Sequence, residues 1–235
     1  MKVAGVVAAL AAEARALGPA TSGALADGTL VAVSGIGPGA AAQAARSLIE
    51  GGATALVSWG MAGGLDPSLN AGALCVPHEV LAEDGERFLT DGIWREPLTA
   101  RIAALHSVAG GALFSSAHAI DSVAGKKALR RATGAVAVDM ESAAVAEAAH
   151  ARGMPFLAVR AIVDTARDEV PCALVAAGLT GRIDIVRLLG SLARRPGDIA
   201  PLMRLSLCYR RAMRSLKAVA SLGPLEPPRE RAASA

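Results

Sequence analysis

The chain has 235 residues, of which 53% are hydrophobic and 19% charged, and its formal net charge is +3. This composition excludes an intrinsically disordered chain, and no apolar run approaches the ~18 residues that a membrane-spanning helix needs. Aromatic residues make up only 3% of the chain, which argues against a stacking surface for nucleic acid. We therefore expect a globular protein that does not bind nucleic acid.

The first predicted element is a buried strand at residues 3–7. Residues 1–14 also resemble a signal peptide, because Lys2 precedes an apolar stretch. However, Glu13 begins a polar helical turn without a cleavage region, so we predict that the segment is retained. The three cysteines are far apart and fit neither a disulfide framework nor a zinc site. These features favour a reducing, cytoplasmic compartment and no metal.

Strand and helix patterns then alternate along the chain, as in βα units. The predicted strands lie at residues 3–7, 30–33, 53–58, 73–77, 111–114, 135–138 and 156–162, and two helices at residues 40–49 and 142–152. This order predicts an α/β fold in three layers, in which helices flank a central mixed, mainly parallel, twisted sheet. In such sheets the binding crevice lies at the carboxyl ends of the strands.

Two glycine-rich segments, residues 35–39 and 60–64, follow predicted strands, and we interpret both as turns. Glycine permits backbone conformations that let amides approach a ligand closely. The first segment departs from a dinucleotide fingerprint, because Gly39 falls one position short of the third glycine. We expect a small-molecule site here, with no nicotinamide or flavin cofactor.

The most informative segment runs from Asp139 through Met140 and Glu141 into a predicted helix, and a later strand ends in Arg160 and Asp164. This pattern resembles the nucleoside phosphorylases and nucleosidases. Residues 5–17, which include Glu13, resemble the first strand, turn and helix of the methylthioadenosine/S-adenosylhomocysteine nucleosidases, and the two glycine segments resemble that family's next loops. The resemblance extends over about residues 3–170.

The resemblance implies cleavage of the N-glycosidic bond of an adenosine-type nucleoside. Bond breaking builds positive charge on the sugar and negative charge on the departing base, which calls for carboxylates at the ribose and a proton donor at the base. Asp164 would protonate or hydrogen-bond the purine N7, and Glu13 would position and deprotonate the attacking water. Glu141 would accept hydrogen bonds from the ribose hydroxyls, and Met140 would form an apolar floor beneath the sugar.

The same resemblance assigns further substrate contacts to Gly63, Ala119 and Ile120, the last two in the base pocket. Arg160 either braces a catalytic carboxylate or only pairs with one. Purely structural roles are the alternatives for two of the acids. Asp164 could cap the turn after its strand, and Glu141 could lie in the first turn of a helix, where the helix dipole stabilises a carboxylate.

Two departures from the phosphorylases favour water over phosphate as the nucleophile. Residues 58–61, Ser-Trp-Gly-Met, lack the arginine and serine with which hexameric phosphorylases bind phosphate. Glu13 stands where those enzymes carry another phosphate-binding arginine, and a carboxylate repels phosphate. Phosphorolysis, with phosphate as co-substrate, is the first alternative, and a non-catalytic nucleotide-binding regulatory domain is the second.

The C-terminal part of the chain is basic. Residues 187–217 carry a net charge of +7, whereas the first 186 residues carry −4. We predict a body at residues 1–190 and an extension at residues 191–235, with a basic amphipathic helix at residues 199–222 and a disordered tail. The helix either docks on the body or lies on an anionic membrane.

An alanine-rich body with an arginine- and leucine-rich tail is also similar to the bacterial hopanoid-associated phosphorylases. That resemblance implies removal of adenine from adenosylhopane, a lipid-linked nucleoside. It further implies peripheral contact with the inner membrane face and a homo-oligomer.

Overall fold

Strands and helices alternate along the chain, and the bounds below come from a computed structural model that describes residues 2–20, 22–104, 106–170 and 199–227. The strands are β1 (Ala4–Ala8), β2 (Leu30–Val33), β3 (Ala55–Gly64), β4 (Leu74–Cys75), β5 (Glu79–Ala82), β6 (Arg87–Leu89), β7 (Val108–Ala109), β8 (Ala112–Ser115), β9 (Ala137–Asp139) and β10 (Phe156–Asp164). The helices are α1 (Ala11–Ala16), α2 (Pro38–Glu50), α3 (Gly92–Ala103), α4 (Val123–Thr133), α5 (Ser142–His150) and α6 (Ile199–Ser221).

All of these strands form one mixed sheet, as predicted. Its path runs β6-β5-β8-β9-β3-β10-β4-β7, and β1 joins β2 to the first half of β3. The central pairs β1–β3 and β3–β10 are parallel, whereas β9 and β4 run antiparallel to β3 and β10. The carboxyl ends of β1, β3 and β10 therefore meet at one edge.

The core is divided between the two faces of the sheet, because neighbouring residues of a strand point in opposite directions. In β10, Phe156 and Ala158 pack on the side of α2 and α5, while Leu157 and Val159 pack on the side of α1, α3 and α6. Helices thus cover both faces, which confirms the three-layer fold.

The prediction of a turn at residues 60–64 is wrong, since β3 continues without interruption to Gly64. Its second half pairs with β10 along Arg160–Asp164 and with β9 at Gly63 and Gly64. Small residues are needed there for side-chain packing rather than for chain reversal, because side chains from neighbouring elements lie directly over the backbone. Helices α3 and α4 and the short strands β5, β6 and β7 carry weak patterns and were not predicted.

Helix α6 packs on the body of the protein through the apolar face that the sequence predicts. Ala212, Leu216 and Val219 are fully buried and join the core cluster that contains Trp59 and Leu74. Leu225, which follows the helix, is also buried in this cluster. The predicted boundary at residue 190 lies outside the described residues.

In the described part of the chain, no helix combines the length and apolar character needed to cross a bilayer.

Leu216→Ala should lower the free energy of unfolding by about 2–5 kcal/mol, because it leaves a cavity between α6 and the sheet. Leu207→Ala, on the exposed side of the same helix, should change it by at most about 0.5 kcal/mol. Urea denaturation followed by circular dichroism measures both. Equal, small losses would show that α6 does not contribute to the core in solution.

Candidate active site

Three carboxyl groups from distant parts of the chain are buried at the carboxyl edge of the sheet. Glu13 lies in α1, Glu141 immediately precedes α5, and Asp164 ends β10. Their residues are only 3%, 7% and 6% exposed. Acidic residues are almost never buried to this extent unless they are paired or hydrogen-bonded. The partners of each carboxyl group therefore decide what the site can do.

Glu13 is held by backbone amides of two elements. Its Oε2 accepts a hydrogen bond from the Leu10 N–H at 2.9 Å, as in the reach-back half of a capping box at the start of a helix. Its Oε1 accepts the Met61 N–H of β3, also at 2.9 Å. The Trp59 indole donates to the Glu13 carbonyl at 3.0 Å. Burial raises the pKa of Glu13, although Arg160 and these amides act in the opposite direction.

Arg160 is the central cation of this edge and is 1% exposed. Its Nη2 lies 2.6 Å from Asp139 Oδ2 and donates to the Ser142 hydroxyl at 3.0 Å. Its guanidinium also lies over Gly60, where a Cβ would come within 2.7 Å of both Arg160 Nη1 and Glu13 Oε1. Only glycine fits there, and Arg160 lies beside Glu13 while pairing directly with Asp139.

Asp139 was not among the predicted site residues. Its position in the acid-Met-Glu triplet was the available signal, but its contact with Arg160 depends on two strands that are separated by β3 in the sheet.

Glu141 connects the first glycine segment to the site. Its Oε1 accepts the Gly37 N–H at 2.9 Å, and Gly37 has a φ of +103° that favours glycine. Glu141 occupies the N-cap position of α5, yet its side chain makes no capping hydrogen bond. Burial raises the pKa of Glu141 to about 7; the Asp139 carboxylate adds to the rise and Arg160 opposes it.

Asp164 has a different partner, the ammonium group of Lys126, with which it forms a buried ion pair. Gly63 lies against the Asp164 side chain, since a Cβ there would stand 3.1 Å from Oδ2. Burial raises the pKa of Asp164, while Lys126 lowers it. The turn after β10 is held by Asp168, whose Oδ2 accepts the N–H and hydroxyl of Thr165 at 2.9 and 2.7 Å.

Strand β3 sets the spacing between these groups. Met61, whose N–H binds the Glu13 carboxyl group, and Gly63, which adjoins Asp164, are two residues apart along the strand. At ~3.3 Å per residue, they are separated by about 7 Å. Both are partly exposed in an otherwise buried strand. A small molecule bound at this end of β3 could contact Glu13 and Asp164 at once.

The remaining predicted residues are less closely involved. Met140 is partly buried beside Glu141. Ala119 is exposed in the segment between β8 and α4, and Ile120 packs against the apolar cluster that contains Leu65 and Val138. Within the described residues, no group of three or more His, Cys, Asp or Glu side chains is arranged to hold a metal ion.

The site combines buried carboxyl groups of raised pKa with two buried cations. A carboxyl group whose pKa is raised towards neutrality can hold a proton near pH 7 and donate it to a bound molecule, and such perturbed groups cluster at functional sites.

Comparison with known proteins places the chain in a family. The family model described as the phosphorylase superfamily matches residues 11–177. A 5′-methylthioadenosine/S-adenosylhomocysteine nucleosidase from Neisseria meningitidis, solved with methylthio-immucillin-A, is 25% identical, with a TM-score of 0.70 over 94% of this chain and 98% of that chain. The corresponding nucleosidase from Helicobacter pylori is 19% identical, with a TM-score of 0.67 over 94% and 99% of the two chains. A mutant of the futalosine hydrolase of H. pylori is 20% identical, with a TM-score of 0.65 over 83% of this chain and 99% of that chain.

Arg160→Met should lower the free energy of unfolding by about 3–5 kcal/mol at pH 8, because it leaves the buried Asp139 carboxylate without its cation. The loss should be smaller at pH 5. Arg160 lowers the pKa of both Glu13 and Glu141. Without it these acids favour the protonated form more strongly, and ionising them at high pH opposes folding more.

Arg131→Met, on an exposed position of α4, is the matched control and should have an effect of at most about 0.5 kcal/mol at either pH. Urea denaturation at the two pH values makes the comparison. A loss for Arg160→Met that does not depend on pH would contradict the charge-compensation model.

Proposed function

Because the chain belongs to the phosphorylase superfamily, we propose that it is an enzyme that cleaves the N-glycosidic bond of a purine nucleoside and releases adenine. The observation that carries this proposal is that Glu13 binds the Met61 N–H and Asp164 adjoins Gly63, two residues further along β3, with Glu141 buried at the same edge of the sheet. These acids match the chemistry of ribosidic bond cleavage, in which charge develops on both the sugar and the base.

Each acid has a distinct role in the proposed reaction. Asp164, whose pKa burial raises, donates a proton to the purine N7 as the bond to the sugar breaks. Glu141 accepts hydrogen bonds from the ribose hydroxyls, and these strengthen as the sugar becomes positively charged. Glu13 orients a water molecule towards the anomeric carbon and takes its proton. Met140 packs beneath the sugar.

Water is the proposed nucleophile. The Glu13 carboxyl group lies against the Met61 amide, in the segment where phosphorylases place phosphate ligands. Ser58 is buried and hydrogen-bonded to Arg160, and Trp59 is buried and bonded to Glu13. A phosphate dianion at this place would meet a carboxylate rather than free cationic and hydroxyl donors. Phosphorolysis is the alternative outcome of the experiment below.

The relatives support the proposed substrate class. The N. meningitidis protein is a nucleosidase of methylthioadenosine and S-adenosylhomocysteine, which supports an adenosine carrying a 5′ substituent. The basic C-terminal helix narrows the proposal to a lipid-linked adenosyl substrate such as adenosylhopane, met at the inner face of the membrane. A homo-oligomer stays a prediction.

Membrane contact would involve the outer side of α6. Its inner side is occupied by the core, so a bilayer would meet the exposed residues of the helix, which include the apolar Met203 and Leu207 and the basic Arg204, Arg210, Arg211, Arg214 and Lys217. Met203 and Leu207 are 65% and 56% exposed. This surface combines five cations with little apolar area, which favours a reversible, salt-sensitive contact.

The purified protein should release adenine from 5′-substituted adenosines at a rate that does not depend on phosphate, and the sugar product should be the free sugar. Glu13→Gln should lower kcat about 10²–10⁴-fold, since the amide cannot take a proton from water. Glu147→Gln, on an exposed position of α5, is the control and should leave kcat unchanged. Chromatography of adenine and mass spectrometry of the sugar measure the outcome.

A phosphate-dependent rate with a sugar 1-phosphate product would replace hydrolysis by phosphorolysis. Tight nucleoside binding without any adenine release would favour the non-catalytic nucleotide-binding domain.

The protein should co-sediment with anionic but not with neutral vesicles at low salt, and binding should weaken as salt increases. Each basic residue near an anionic surface contributes about 1 kcal/mol, so Arg210→Gln, Arg214→Gln and Lys217→Gln together should reduce binding about 100-fold. The same charge change at the exposed Arg46, Lys127 and Arg131 is the control. Equal losses in both triple variants would mean that net charge, and not α6, is responsible.

A further inference from the structure

A lysine that the proposed reaction does not use lies directly behind Asp164. Lys126, in the first turn of α4, is fully buried. Its ammonium donates to Asp164 Oδ2, to the Thr165 carbonyl at 2.9 Å and to the Asp168 carbonyl at 2.9 Å. An ammonium group has three N–H donors, and each of them has a partner here.

This arrangement is more specific than helix packing requires. Burying an ammonium group is costly unless it is paired and hydrogen-bonded, and apolar residues of similar size in place of both members of a buried ion pair often give equal or higher stability. The three acceptors also come from one short stretch, residues 164–168, at the end of β10. Lys126 therefore fixes that stretch and the Asp164 carboxyl group in one orientation.

We propose that Lys126 is a positioning residue for Asp164: it holds Oδ2, directs Oδ1 towards the leaving base, and stabilises the carboxylate that remains when the proton has gone. This inference rests on the proposed cleavage reaction and assigns to it a residue that acts through Asp164 without touching the substrate. Lys126 keeps its three protons throughout.

The bond between the anomeric carbon and N9 breaks, and its electron pair moves into the purine. The proton of Asp164 moves to N7, which leaves neutral adenine and an Asp164 carboxylate beside the Lys126 ammonium. Water adds to the anomeric carbon and gives its proton to Glu13. Proton exchange with solvent then returns both acids to their starting states.

Other charged groups also face Asp164. The Asp168 carboxylate raises the pKa of Asp164, whereas Lys126 lowers it. Arg204 of α6 pairs with Asp168 at 2.8 Å, and Cys208 and Arg211 of the same helix belong to this electrostatic neighbourhood. Lys126 is the cation in direct contact with the carboxyl group, so its removal is expected to have the largest effect on Asp164.

The test compares Lys126→Gln, which removes the charge but keeps hydrogen-bond donors, with Lys126→Arg, which keeps the charge. A nearby opposite charge shifts a carboxyl pKa by about 1–3 units. Because Asp164 must be protonated to act, the alkaline limb of the kcat/KM profile should move up by about 1–3 pH units in Lys126→Gln. It should stay near the wild-type position in Lys126→Arg. The value of kcat in Lys126→Gln should fall on the order of tenfold, with a smaller change in KM, because a weaker acid transfers its proton less readily.

Two controls separate positioning from structure. Lys127→Gln, on the neighbouring exposed position, should change neither the position of the alkaline limb of the kcat/KM profile nor the value of kcat. In an Asp164→Asn background, Lys126→Gln should lower kcat little further, because the carboxyl group through which Lys126 acts is already gone. Additive losses, or an alkaline limb that does not move, would overturn the inference even if Lys126→Gln unfolds at a lower temperature.

Carboxyl NMR of the resting protein keeps this inference distinct from the proposed function. The pKa of Asp164 should be higher in Lys126→Gln than in the wild type, whether or not the substrate is cleaved. If the wild type releases no adenine, the proposed function fails, while the NMR titration still supports or overturns the hold of Lys126 on Asp164.

Discussion

The structure depends on charge compensation at the buried carboxyl edge of the sheet. Four acids, Asp139, Glu141, Glu13 and Asp164, lie within a region from which water is largely excluded. Bringing like charges together in such a place opposes folding, and two buried cations reduce the cost. Arg160 pairs with Asp139 and lies near both glutamates, whereas Lys126 pairs with Asp164. The site is thus divided into two halves, each with its own cation.

This division matches the two charges that develop when a ribosidic bond breaks. The half around Arg160 contains Glu13 and Glu141, which would face the sugar and the attacking water. The half around Lys126 contains the acid that would face the base. Burial raises the pKa of all three proposed functional acids, and the cations limit that rise. Burial and the buried cations therefore act in opposite directions on the pKa of each of these acids.

The carboxyl edge of the sheet is also subject to a steric constraint. Strand β3 extends past the point where its apolar pattern ends, because glycines at positions 60 and 63 leave room for the side chains of Glu13, Arg160 and Asp164. Larger residues would push those side chains apart. On the opposite side of the molecule from α2 and α5, α6 covers the same central strands with Ala212 and Leu216. The basic residues of α6 remain on the outside. One face of this helix therefore packs on the core, and another face carries the positive charge.

The sequence by itself determined the fold class, most central strands and the identities of the candidate acids. Apolar periodicity is a local property, and the Asp-Met-Glu triplet and the strand ending in Asp164 carry a recognisable pattern. The sequence did not determine which residues pair with those acids. Asp139 meets Arg160, and Lys126 meets Asp164 from 38 residues earlier in the chain. Such contacts depend on the order of strands in the sheet and on the placement of α4, which no short pattern encodes. For the same reason the sequence did not predict that β3 continues through residues 60–64. Local propensity indicates a turn at glycines, whereas pairing with β10 and β9 keeps these residues extended.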